Sequence, residues 1–408
     1  MLRAYVHASE VITGKGVRKK DGRGVTLEDM GRIPDGAVVY STKKIKGKEV
    51  PDEIKWVGPS SKIPPKFRRA KKVDLKNKKC VLPGLVDCHT HMVFGGDRAE
   101  EFAKRCAGAS YEEIAKEGGG ILSTIRPTRQ VSVSRLLALA SARVRQAQKL
   151  GVRILEIKSG YGLSLESELR CLEVIQRLKQ KFPEMVIQST FLGAHAFPPE
   201  KSKEDYFREV MEVMLPWVAN EGLADACDIF VDEGYFTVGQ ARELLTKASS
   251  LRLKIKLHGD ELVDTSSAKL ACELKALSVD HLLKVNKEGV RALSQSQTVA
   301  VLLPGTAFYL KADYAPARDL IDGGACVAIA TDFNPGSSMC NHLPAMMTMA
   351  GLYMGMSCAE IFSAVTYGGA KALGLEKTHG TLEKGLQAHL TVWPFERFEQ
   401  GYYEFGWH

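Results

Sequence analysis

The fold of this chain is decided by the stretch Val81-Leu82-Pro83-Gly84-Leu85-Val86-Asp87-Cys88-His89-Thr90-His91. It is a short apolar segment that ends in two histidines separated by one residue. From Val81 onward, similar apolar segments alternate with long amphipathic ones, which is the pattern of βα units around a parallel sheet. We therefore expect the main domain to begin here with a buried strand.

Eight such strands follow one another over about 290 residues. They are predicted at residues 81–89, 152–158, 185–193, 226–232, 251–258, 276–281, 298–303 and 326–332. Amphipathic segments such as 136–150, 166–181 and 205–221 lie between most of them. The pattern predicts an α/β fold, a TIM-like (β/α)8 barrel with its active site at the C-terminal ends of the strands. Residues 92–129 are too many for a simple βα loop, and we interpret them as an active-site elaboration.

The fifth predicted strand, Leu251-Arg252-Leu253-Lys254-Ile255-Lys256-Leu257-His258, alternates apolar and polar residues. Because successive side chains of a strand point to opposite faces, His258 shares its face with Lys254 and Lys256. Either the barrel has a polar inner layer at this strand, or the strand bends before His258. Both alternatives are compatible with the sequence.

The segments on either side of the barrel predict a small β domain. Residues 1–80 contain short β-leaning pieces broken by Gly, Pro and charged residues. After Gly374 the chain returns to this domain through residues 385–393. We therefore expect a small β-sandwich built from residues 1–80 and 375–408, with the barrel at residues 81–374. The C-terminal part of the small domain is expected to be incomplete.

Composition narrows the functional classes. The chain has 408 residues, of which 45% are hydrophobic, so it can bury a large core. Its nine cysteines form no Cys-x-x-Cys pair, which is typical of free thiols in a reducing compartment. The N-terminus lacks a signal-peptide pattern, and no apolar run reaches the roughly 18–20 residues that a membrane span needs. We expect a cytoplasmic enzyme without a membrane partner.

A formal net charge of +8 raises the question of an anionic partner. Much of the excess lies in residues 43–72, which include Lys43-Lys44, Arg68-Arg69 and Lys71-Lys72. A basic run of this kind can bind nucleic acid or anionic lipid, but more often it is a solvated face. No binding motif accompanies it, so we expect no nucleic-acid partner.

Residues of metal-ligand type stand at the ends of four predicted strands. His89 and His91 end the first strand, and residues i and i+2 of an extended chain point the same way, so both imidazoles can hold one cation. His258 ends strand five, His281 ends strand six and Asp332 ends strand eight. In a barrel these groups converge at one mouth. Imidazole and carboxylate ligands suit Zn²⁺, or iron as second choice.

This pattern resembles the amidohydrolase superfamily, which combines H-x-H on strand one with histidines on strands five and six and an aspartate on strand eight. Its two-metal members carry a carboxylated lysine at the end of strand four, where this chain has Val231-Asp232-Glu233-Gly234. The resemblance therefore implies a one-metal site, held by His89, His91, His258 and Asp332. In one-metal members the strand-six histidine is not a ligand, which assigns His281 to polarising or orienting the substrate. Lys158, which ends strand two, is interpreted as an ion-paired or substrate-side lysine.

A glutamate follows the strand-five histidine in the sequence His258-Gly259-Asp260-Glu261. One-metal members of the superfamily use a glutamate at this position for proton transfer, and we favour this role over that of a helix-entry carboxylate. A cation lowers the pKa of a bound water toward roughly 7. Asp332 can accept the proton of the water, Glu261 can pass one to the leaving nitrogen, and His281 can stabilise the oxyanion. These parts suffice for hydrolysis or deamination at a C–N bond.

Longer motifs extend the pattern over most of residues 81–374. After Pro83-Gly84-Leu85-Val86-Asp87-Cys88-His89-Thr90-His91 they are Val93-Phe94-Gly95-Gly96-Asp97-Arg98, Tyr111-Glu112-Glu113-Ile114, Gly118-Gly119-Gly120-Ile121, Lys158-Ser159-Gly160-Tyr161-Gly162-Leu163, Gly193-Ala194-His195, Asp280-His281-Leu282 and Thr331-Asp332-Phe333-Asn334-Pro335-Gly336-Ser337. They resemble the imidazolonepropionases, a family of histidine degradation within this superfamily. The resemblance implies that a metal-activated water hydrolyses 4-imidazolone-5-propanoate to N-formimino-L-glutamate.

The same resemblance implies roles in substrate binding. Arg98 would pair with the propanoate carboxylate, which suits the planar fork of a guanidinium. The other residues implied to contact the substrate or form the pocket wall are Tyr161, His195, Asn334, Gly336 and Ser337. Alternatives exist, since Arg98 could pair with Asp97 at the surface, Tyr161 could be a packing residue, and Asn334-Pro335-Gly336 is a turn signal. The family resemblance also suggests a homodimer.

Two rival functions remain compatible with the sequence. A one-metal heterocycle deaminase of the same superfamily would share all four metal ligands. Arg98 favours an acid as substrate, because a neutral heterocycle has no need of it. A catalytically inactive barrel scaffold is the other rival, but such a protein is expected to have lost metal ligands, and all four are present here.

Overall fold

A computed structural model describes residues 1–108 and 119–407, so the motif Tyr111-Glu112-Glu113-Ile114 and Gly118 lie outside the described residues. The strands are β1 (Leu2–Ile12), β2 (Arg32–Ile45), β3 (Lys48–Pro59), β4 (Lys71–Asp74), β5 (Cys80–Pro83), β6 (Leu85–Asp87), β7 (Val152–Lys158), β8 (Val186–Ala194), β9 (Ala226–Val231), β10 (Lys254–Gly259), β11 (Ser278–His281), β12 (Val299–Leu302), β13 (Val327–Ile329) and β14 (Leu390–Trp393). The helices are α1 (Lys15–Lys19), α2 (Ala99–Cys106), α3 (Leu122–Gln130), α4 (Val133–Lys149), α5 (Leu165–Lys181), α6 (Lys203–Glu209), α7 (Leu215–Asn220), α8 (Val238–Ser250), α9 (Ser267–Glu273), α10 (Lys287–Ser294), α11 (Pro304–Leu310), α12 (Ala317–Asp322), α13 (Leu343–Met354), α14 (Cys358–Ser363), α15 (Gly369–Ala372) and α16 (Gln400–Tyr403).

Eight parallel strands form the barrel sheet in the order β6-β7-β8-β9-β10-β11-β12-β13. The first and last strands meet beyond their carboxyl ends. There the amide of Asp332 donates to the carbonyl of His89 at 3.0 Å, and the amide of His91 donates to the carbonyl of Phe333 at 2.9 Å. The predicted TIM-like barrel is confirmed, and its closure brings the first and last predicted ligand segments side by side.

The first predicted strand, residues 81–89, is wrong as a single element. It divides at Gly84 into β5, which pairs with β1 and β14, and β6, which pairs with β7 in the barrel. The amide of Gly84 donates to the carbonyl of His389 at 2.8 Å, and a Cβ at this position would collide with the side chain of Arg153. The other seven predicted strands correspond to single strands, with ends shifted by at most three residues.

The helix predicted at residues 205–221 is interrupted by a π-helical segment. Helices α6 and α7 are separated by the π segment Val210–Met214, and Pro216 stands in the first turn of α7. A proline lacks the amide hydrogen that an unbroken α-helix would need, so the wider π turn before it is the local solution. The helices predicted at 136–150 and 166–181 correspond to α4 and α5.

The interior of the barrel has a polar layer, which decides between the two alternatives for the fifth strand. β10 continues through His258 to Gly259. Lys256 is buried, and its Nζ donates to Glu156 Oε1 and to the carbonyl of Cys88, both at 2.9 Å. Lys254 reaches the carbonyl of Leu373 at 3.0 Å instead.

A second sheet is built from both ends of the chain. Its order is β14-β5-β1-β2-β3, with β4 paired to β1. β14 is antiparallel to β5, with Trp393 opposite Cys80, so the chain returns after Gly374 to the small sheet. The indole of Trp393 stacks on Phe398 at 5.6 Å and donates to the carbonyl of Leu150 at 3.0 Å. The division into residues 1–80, 81–374 and 375–408 is kept as a proposal.

Two surface properties bear on possible partners. Several lysines of the β2–β3 hairpin have protein partners. Lys46 Nζ donates to Gln180 at 3.2 Å, and Lys43 Nζ lies 3.1 Å from Asp52. Lys48 Nζ donates to the carbonyl of Lys181 at 3.4 Å, at the C-terminal end of α5, where a cation is favourable. Among the described residues, no helix has the length and apolar character needed to cross a membrane.

Candidate metal centre and active site

Three predicted ligands at the barrel mouth form a nearly equilateral triangle of donor atoms. His89 Nε2 and His91 Nε2 are 3.3 Å apart, and Asp332 Oδ1 lies 3.4 Å from each of them. Ligand atoms at roughly 2.0–2.2 Å from a cation are about 3.3–3.6 Å apart in tetrahedral geometry. The triangle therefore has the dimensions of one face of a tetrahedral metal site.

His258 joins this cluster through a nitrogen within 4.8 Å of nitrogens of His89 and His91. Its Nε2 is buried and has no hydrogen-bond partner among the described residues. An unsatisfied buried nitrogen costs free energy unless a further group binds it. Burial lowers the pKa of His258 and of His91, which leaves both rings neutral, as metal ligands must be. The residues present fit a cation.

Carboxylates orient two of the predicted ligand histidines. Asp280 Oδ2 accepts from His89 Nδ1 at 2.6 Å, and Asp228 Oδ1 accepts from His258 Nδ1 at 3.0 Å. A histidine that donates through Nδ1 presents the lone pair of Nε2 to a metal. Lys158 is buried between these carboxylates, with Nζ 2.7 Å from Asp228 and 3.7 Å from Asp280. Lys158 is therefore ion-paired, which was one of the two interpretations.

Sequence reasoning missed Asp228 and gave Asp280 no role beyond its motif. The signal for Asp228 is a lone carboxylate inside the apolar segment Ala226-Cys227-Asp228-Ile229-Phe230. A charged residue in the middle of a buried strand needs a partner, and in a barrel the neighbouring strands supply one.

Glu261 and His281 lie together at the edge of the cluster. Glu261 Oε1 is 3.4 Å from His281 Nδ1, and both side chains are almost completely buried. Burial raises the pKa of Glu261 to about 8, and the negative charges of Asp332 and Asp232 contribute to this shift. A carboxyl group with this pKa can hold and release a proton near neutral pH. Burial lowers the pKa of His281 to about 4, which keeps its ring neutral.

His281 also lies near two of the predicted ligands. One of its nitrogens is within 4.8 Å of donor atoms of His89 and Asp332. His281 and Asp332 both have positive φ angles, 85° and 47°, which are uncommon for residues other than glycine. Such backbone conformations occur at functional sites, where the surrounding structure compensates their cost. The non-ligand role of His281 stays a proposal.

A cavity of about 440 Å³ opens above the cluster. Its wall contains every predicted site residue except His89, namely His91, Arg98, Tyr161, His195, His258, Glu261, His281, Asp332, Asn334, Gly336 and Ser337. The structure thus brings residues from seven separate sequence motifs together around one cavity. A cavity of this size is typical of small-molecule sites.

Arg98 belongs to the cavity wall and not to a surface pair with Asp97. Its Nε donates to Glu101 Oε2 at 2.8 Å, while Asp97 accepts from the amide of Ala99 at 3.0 Å. Only 12% of the Arg98 side chain is exposed. A guanidinium so placed retains further N–H donors for an anionic ligand.

Asn334 forms a turn and also lines the cavity. Its Oδ1 accepts from the amides of Gly336 and Ser337, both at 2.8 Å, and its Nδ2 donates to the carbonyl of Asp332 at 2.7 Å. These bonds fold the segment after Asp332 into a tight turn. Gly336 is then so close to Arg98 that a Cβ would collide with Nη1 of the guanidinium.

Substitution of Gly336 by alanine should therefore displace Arg98 and weaken substrate binding. Because the displaced atom is the end of a flexible side chain, we expect a folded protein with full metal content and a KM raised by about three- to tenfold. Steady-state kinetics with metal quantification checks this. Gly239→Ala is the matched control, since its Cβ would meet only Thr237 at 3.8 Å. An unchanged KM in Gly336→Ala would contradict the proximity argument.

Arg105 is a further cavity residue that sequence reasoning missed. It lies in α2, seven residues after Arg98, and helical residues seven apart lie on the same face. Arg105 Nη2 donates to the carbonyl of Tyr309 at 2.7 Å, and the guanidinium is 5.2 Å from the Tyr309 ring centre. Sequence reasoning also missed the apolar residues of the cavity wall, which include Phe230 and Leu310.

A (β/α)8 barrel whose mouth holds converging histidines and an aspartate defines an enzyme of the metal-dependent amidohydrolase class. The model of the amidohydrolase family matches residues 80–401. The chain is 43% identical over 397 residues to an imidazolonepropionase of Clostridium tetani, covering 96% of this chain and 92% of that protein. It is 41% identical over 413 residues to an imidazolonepropionase of Porphyromonas gingivalis, covering 99% and 94%. The chain belongs to the imidazolonepropionases, within the amidohydrolase family.

Solved structures agree on the fold. An adenosine deaminase from Xanthomonas campestris, determined with bound zinc, superposes with a TM-score of 0.68 and covers 96% of this chain and 84% of its own. At 17% sequence identity this likeness concerns the fold alone. The family and the cluster of histidines with Asp332 together support a divalent metal at the barrel mouth.

Proposed function

We propose that this chain hydrolyses the ring C–N bond of 4-imidazolone-5-propanoate to N-formimino-L-glutamate, a step of histidine degradation. The observation that carries the proposal is a cavity with metal-ligand side chains at its base and Arg98 in its wall. A small heterocyclic acid needs both, a polarising centre for the ring carbonyl and a cation for the carboxylate. Relatives that carry the same activity in their name are 41–43% identical over nearly the whole chain.

The metal site is proposed to be held by His89, His91, His258 and Asp332. Three imidazoles and one carboxylate suit Zn²⁺, with iron as the alternative. A bound cation would supply Lewis acidity for the ring carbonyl and lower the pKa of water toward about 7. The buried, unpartnered Nε2 of His258 supports its assignment as a ligand.

The chain's own residues account for the proton transfers. Thr306 Oγ1 donates to Asp332 Oδ2 at 2.6 Å and fixes the carboxylate, whose pKa the His89 and His91 hydrogen bonds keep low despite its burial. Asp332 is therefore ionised, which a group that accepts the proton of the attacking water must be. As the C–N bond breaks, the leaving nitrogen takes a proton from Glu261, while His281 donates to the oxygen of the ring carbonyl. The ring carbonyl carbon gains the oxygen of the water and remains in the product as a new carboxylate.

Arg98, Tyr161 and His195 are proposed to bind the substrate, with Asn334, Gly336 and Ser337 in the wall around it. Arg98 would take the propanoate carboxylate through its planar fork. Tyr161 and His195 lie next to the ligand cluster, since the ring centres of both are within 6 Å of that of His91. They can therefore contact a ring placed against the cluster.

Removal of the Arg98 guanidinium should weaken substrate binding and spare the metal. We expect Arg98→Ala to raise KM by about 10- to 100-fold, because charged hydrogen bonds contribute roughly 1.5–3 kcal/mol. Metal content should equal that of the unmodified chain. Arg126→Ala, at an exposed position of α3, is the control and should change neither quantity. Unaltered affinity in Arg98→Ala would show that the carboxylate assignment is wrong.

A panel of substrates distinguishes hydrolysis of the imidazolone ring from the rival function, deamination of a heterocycle. We expect ring opening of 4-imidazolone-5-propanoate and no turnover of neutral aminated heterocycles such as guanine. Release of ammonia from an aminated heterocycle without ring opening would favour a deaminase. Both reactions are followed directly by ultraviolet absorbance.

A homodimer in the cytoplasm, without nucleic-acid or membrane partners, completes the proposal. The nine cysteines are free thiols, which suits a reducing compartment. Within the basic stretch 43–72, Lys43, Lys46 and Lys48 have protein partners, and the basic residues at 68, 69, 71 and 72 are exposed, which supports the interpretation as a solvated face. Sedimentation of the purified chain tests the oligomeric state.

A further inference from the structure

The loop that follows β7, residues 159–163, is organised around one buried carboxylate. Glu168, in the first turn of α5, is 1% exposed. It accepts from the amides of Gly160 at 3.0 Å, Gly162 at 2.7 Å and Leu163 at 3.0 Å. Among the described residues it has no ion-pair partner. Burial raises its pKa, while the Ser159 side chain and these backbone donors favour the charged form. The loop and the carboxylate therefore depend on each other.

The backbone of this loop follows a path that few residues can adopt. Gly160 has a φ of +107° and Leu163 a φ of +47°. A Cβ at Gly162 would lie 2.9 Å from Glu168 Oε1 and 2.6 Å from backbone atoms at the start of α5. Three amides can converge on the Glu168 carboxylate only in this backbone conformation. Removal of the carboxylate should therefore allow the loop to leave it.

The same loop fixes the hydrogen-bonding state of His195. His195 Nδ1 is 2.9 Å from the carbonyl oxygen of Gly160. A carbonyl oxygen can only accept, so Nδ1 carries the hydrogen, and in the neutral ring Nε2 carries the lone pair. The His195 ring lines the cavity and stacks on His91, with ring centres 5.2 Å apart. Its second nitrogen is therefore an acceptor at the site.

The loop at residues 159–163 is also hydrogen-bonded to the neighbouring strand β8. Ser159 Oγ accepts from the amide of Leu192 at 3.0 Å, three residues before His195. Both ends of the Gly160–His195 contact are thereby held, one by Glu168 and one by β8.

We propose that Glu168 is a positioning residue that holds His195 as the Nδ1–H tautomer, so that Nε2 accepts a hydrogen bond from a ring N–H of the substrate. The inference rests on the proposed function, because the imidazolone ring supplies that N–H donor. It makes the site specific for heterocycles with an N–H at this position. An analogue methylated at that ring nitrogen should bind at least about tenfold more weakly, because the acceptor is left unpaired.

The tautomer can be measured without any activity. Histidine-selective ¹⁵N labelling of the metal-loaded chain gives separate shifts for protonated and unprotonated ring nitrogens, and the His195→Gln variant identifies the signals of His195. We expect a protonated Nδ1 and an unprotonated Nε2. The opposite tautomer would overturn the inference. If the chain failed to hydrolyse the imidazolone, the proposed function would fall, but this measurement would still decide the state of His195.

Kinetics of Glu168→Gln test the positioning role. The glutamine side chain places an N–H₂ group against backbone N–H groups, so the loop should lose its backbone conformation. We expect KM to rise at least about tenfold, with metal content unchanged and kcat altered much less. Glu166→Gln, on the exposed side of the same helical turn, is the matched control and should behave like the unmodified chain.

A double-mutant cycle distinguishes positioning from general loss of stability. If Glu168 acts through His195, Glu168→Gln should add little to the KM of His195→Ala. Independent, multiplying effects on KM would contradict the proposal. If Glu168→Gln fails to fold, the ¹⁵N measurement on the unmodified chain still decides the tautomer that the proposal requires.

Discussion

The His258→Ala variant is expected to lose its bound metal and its hydrolase activity together. His258 contributes a buried Nε2 with no other partner among the described residues, and its Nδ1 is already held by Asp228. Without this ligand the remaining donors should not retain a cation through purification. We expect less than about a tenth of an equivalent of metal per chain and a loss of kcat/KM of more than about 1000-fold. Elemental analysis and steady-state kinetics on the same sample check this.

His7→Ala is the control for this substitution. His7 is exposed in β1 and pairs with Asp35, away from the cavity. Metal content and activity should both stay unchanged in this variant. A His258→Ala protein that kept a full equivalent of metal and lost only activity would show that His258 is not a ligand.

Replacement of Glu261 by glutamine should remove proton transfer while leaving the metal in place. Glutamine has nearly the same shape but cannot give or take a proton, whereas the raised pKa of Glu261, about 8, lets the native side chain do both. We expect kcat to fall by about 10²–10⁴-fold, which is the usual contribution of a general acid–base. Metal content and KM should change little.

Glu233→Gln is the matched control for Glu261→Gln. Glu233 follows β9 on the same side of the barrel but is exposed and does not line the cavity. Its variant should retain full kcat. If Glu261→Gln instead lost metal, Glu261 would be acting as a ligand, and if it kept full kcat, another group would have to protonate the leaving nitrogen.

The barrel was predictable because its signal is repeated. Several of the apolar segments end at residues of metal-ligand type, and His89, His258 and Asp332 could be assigned to one mouth from strand ends alone. The split at Gly84 was not predictable, because both halves of residues 81–89 are apolar and buried. Only the pairing partners, β14 on one side and β7 on the other, separate them.

The charged interior of the barrel was only partly predictable. Alternation in the fifth strand raised the possibility of a polar layer, but the partners of Lys256 and Lys158 come from distant strands. Glu156, Asp228 and Asp280 each supply one carboxylate, and their convergence is a property of barrel closure. A buried ion network of this kind exists only where several strands are assembled, so no local pattern reveals it.

The residues proposed to bind the substrate were also only partly predictable from the sequence. Arg98 was assigned from a motif, but its hydrogen bond to Glu101 and its contact with Gly336 depend on how α2 lies against the turn after β13. Arg105 was missed because an arginine on an amphipathic helix is usually a surface residue. Its position in the cavity wall follows from that same packing.

The central claim is that one divalent metal at His89, His91, His258 and Asp332 enables hydrolysis of an imidazolone acid. The most direct test removes the metal with a chelator and adds it back in measured amounts, while formation of N-formimino-L-glutamate from 4-imidazolone-5-propanoate is followed. We expect activity to rise in proportion to added metal and to level off at one equivalent per chain. Full activity in the metal-free chain, or no N-formimino-L-glutamate at any metal content, would contradict the account.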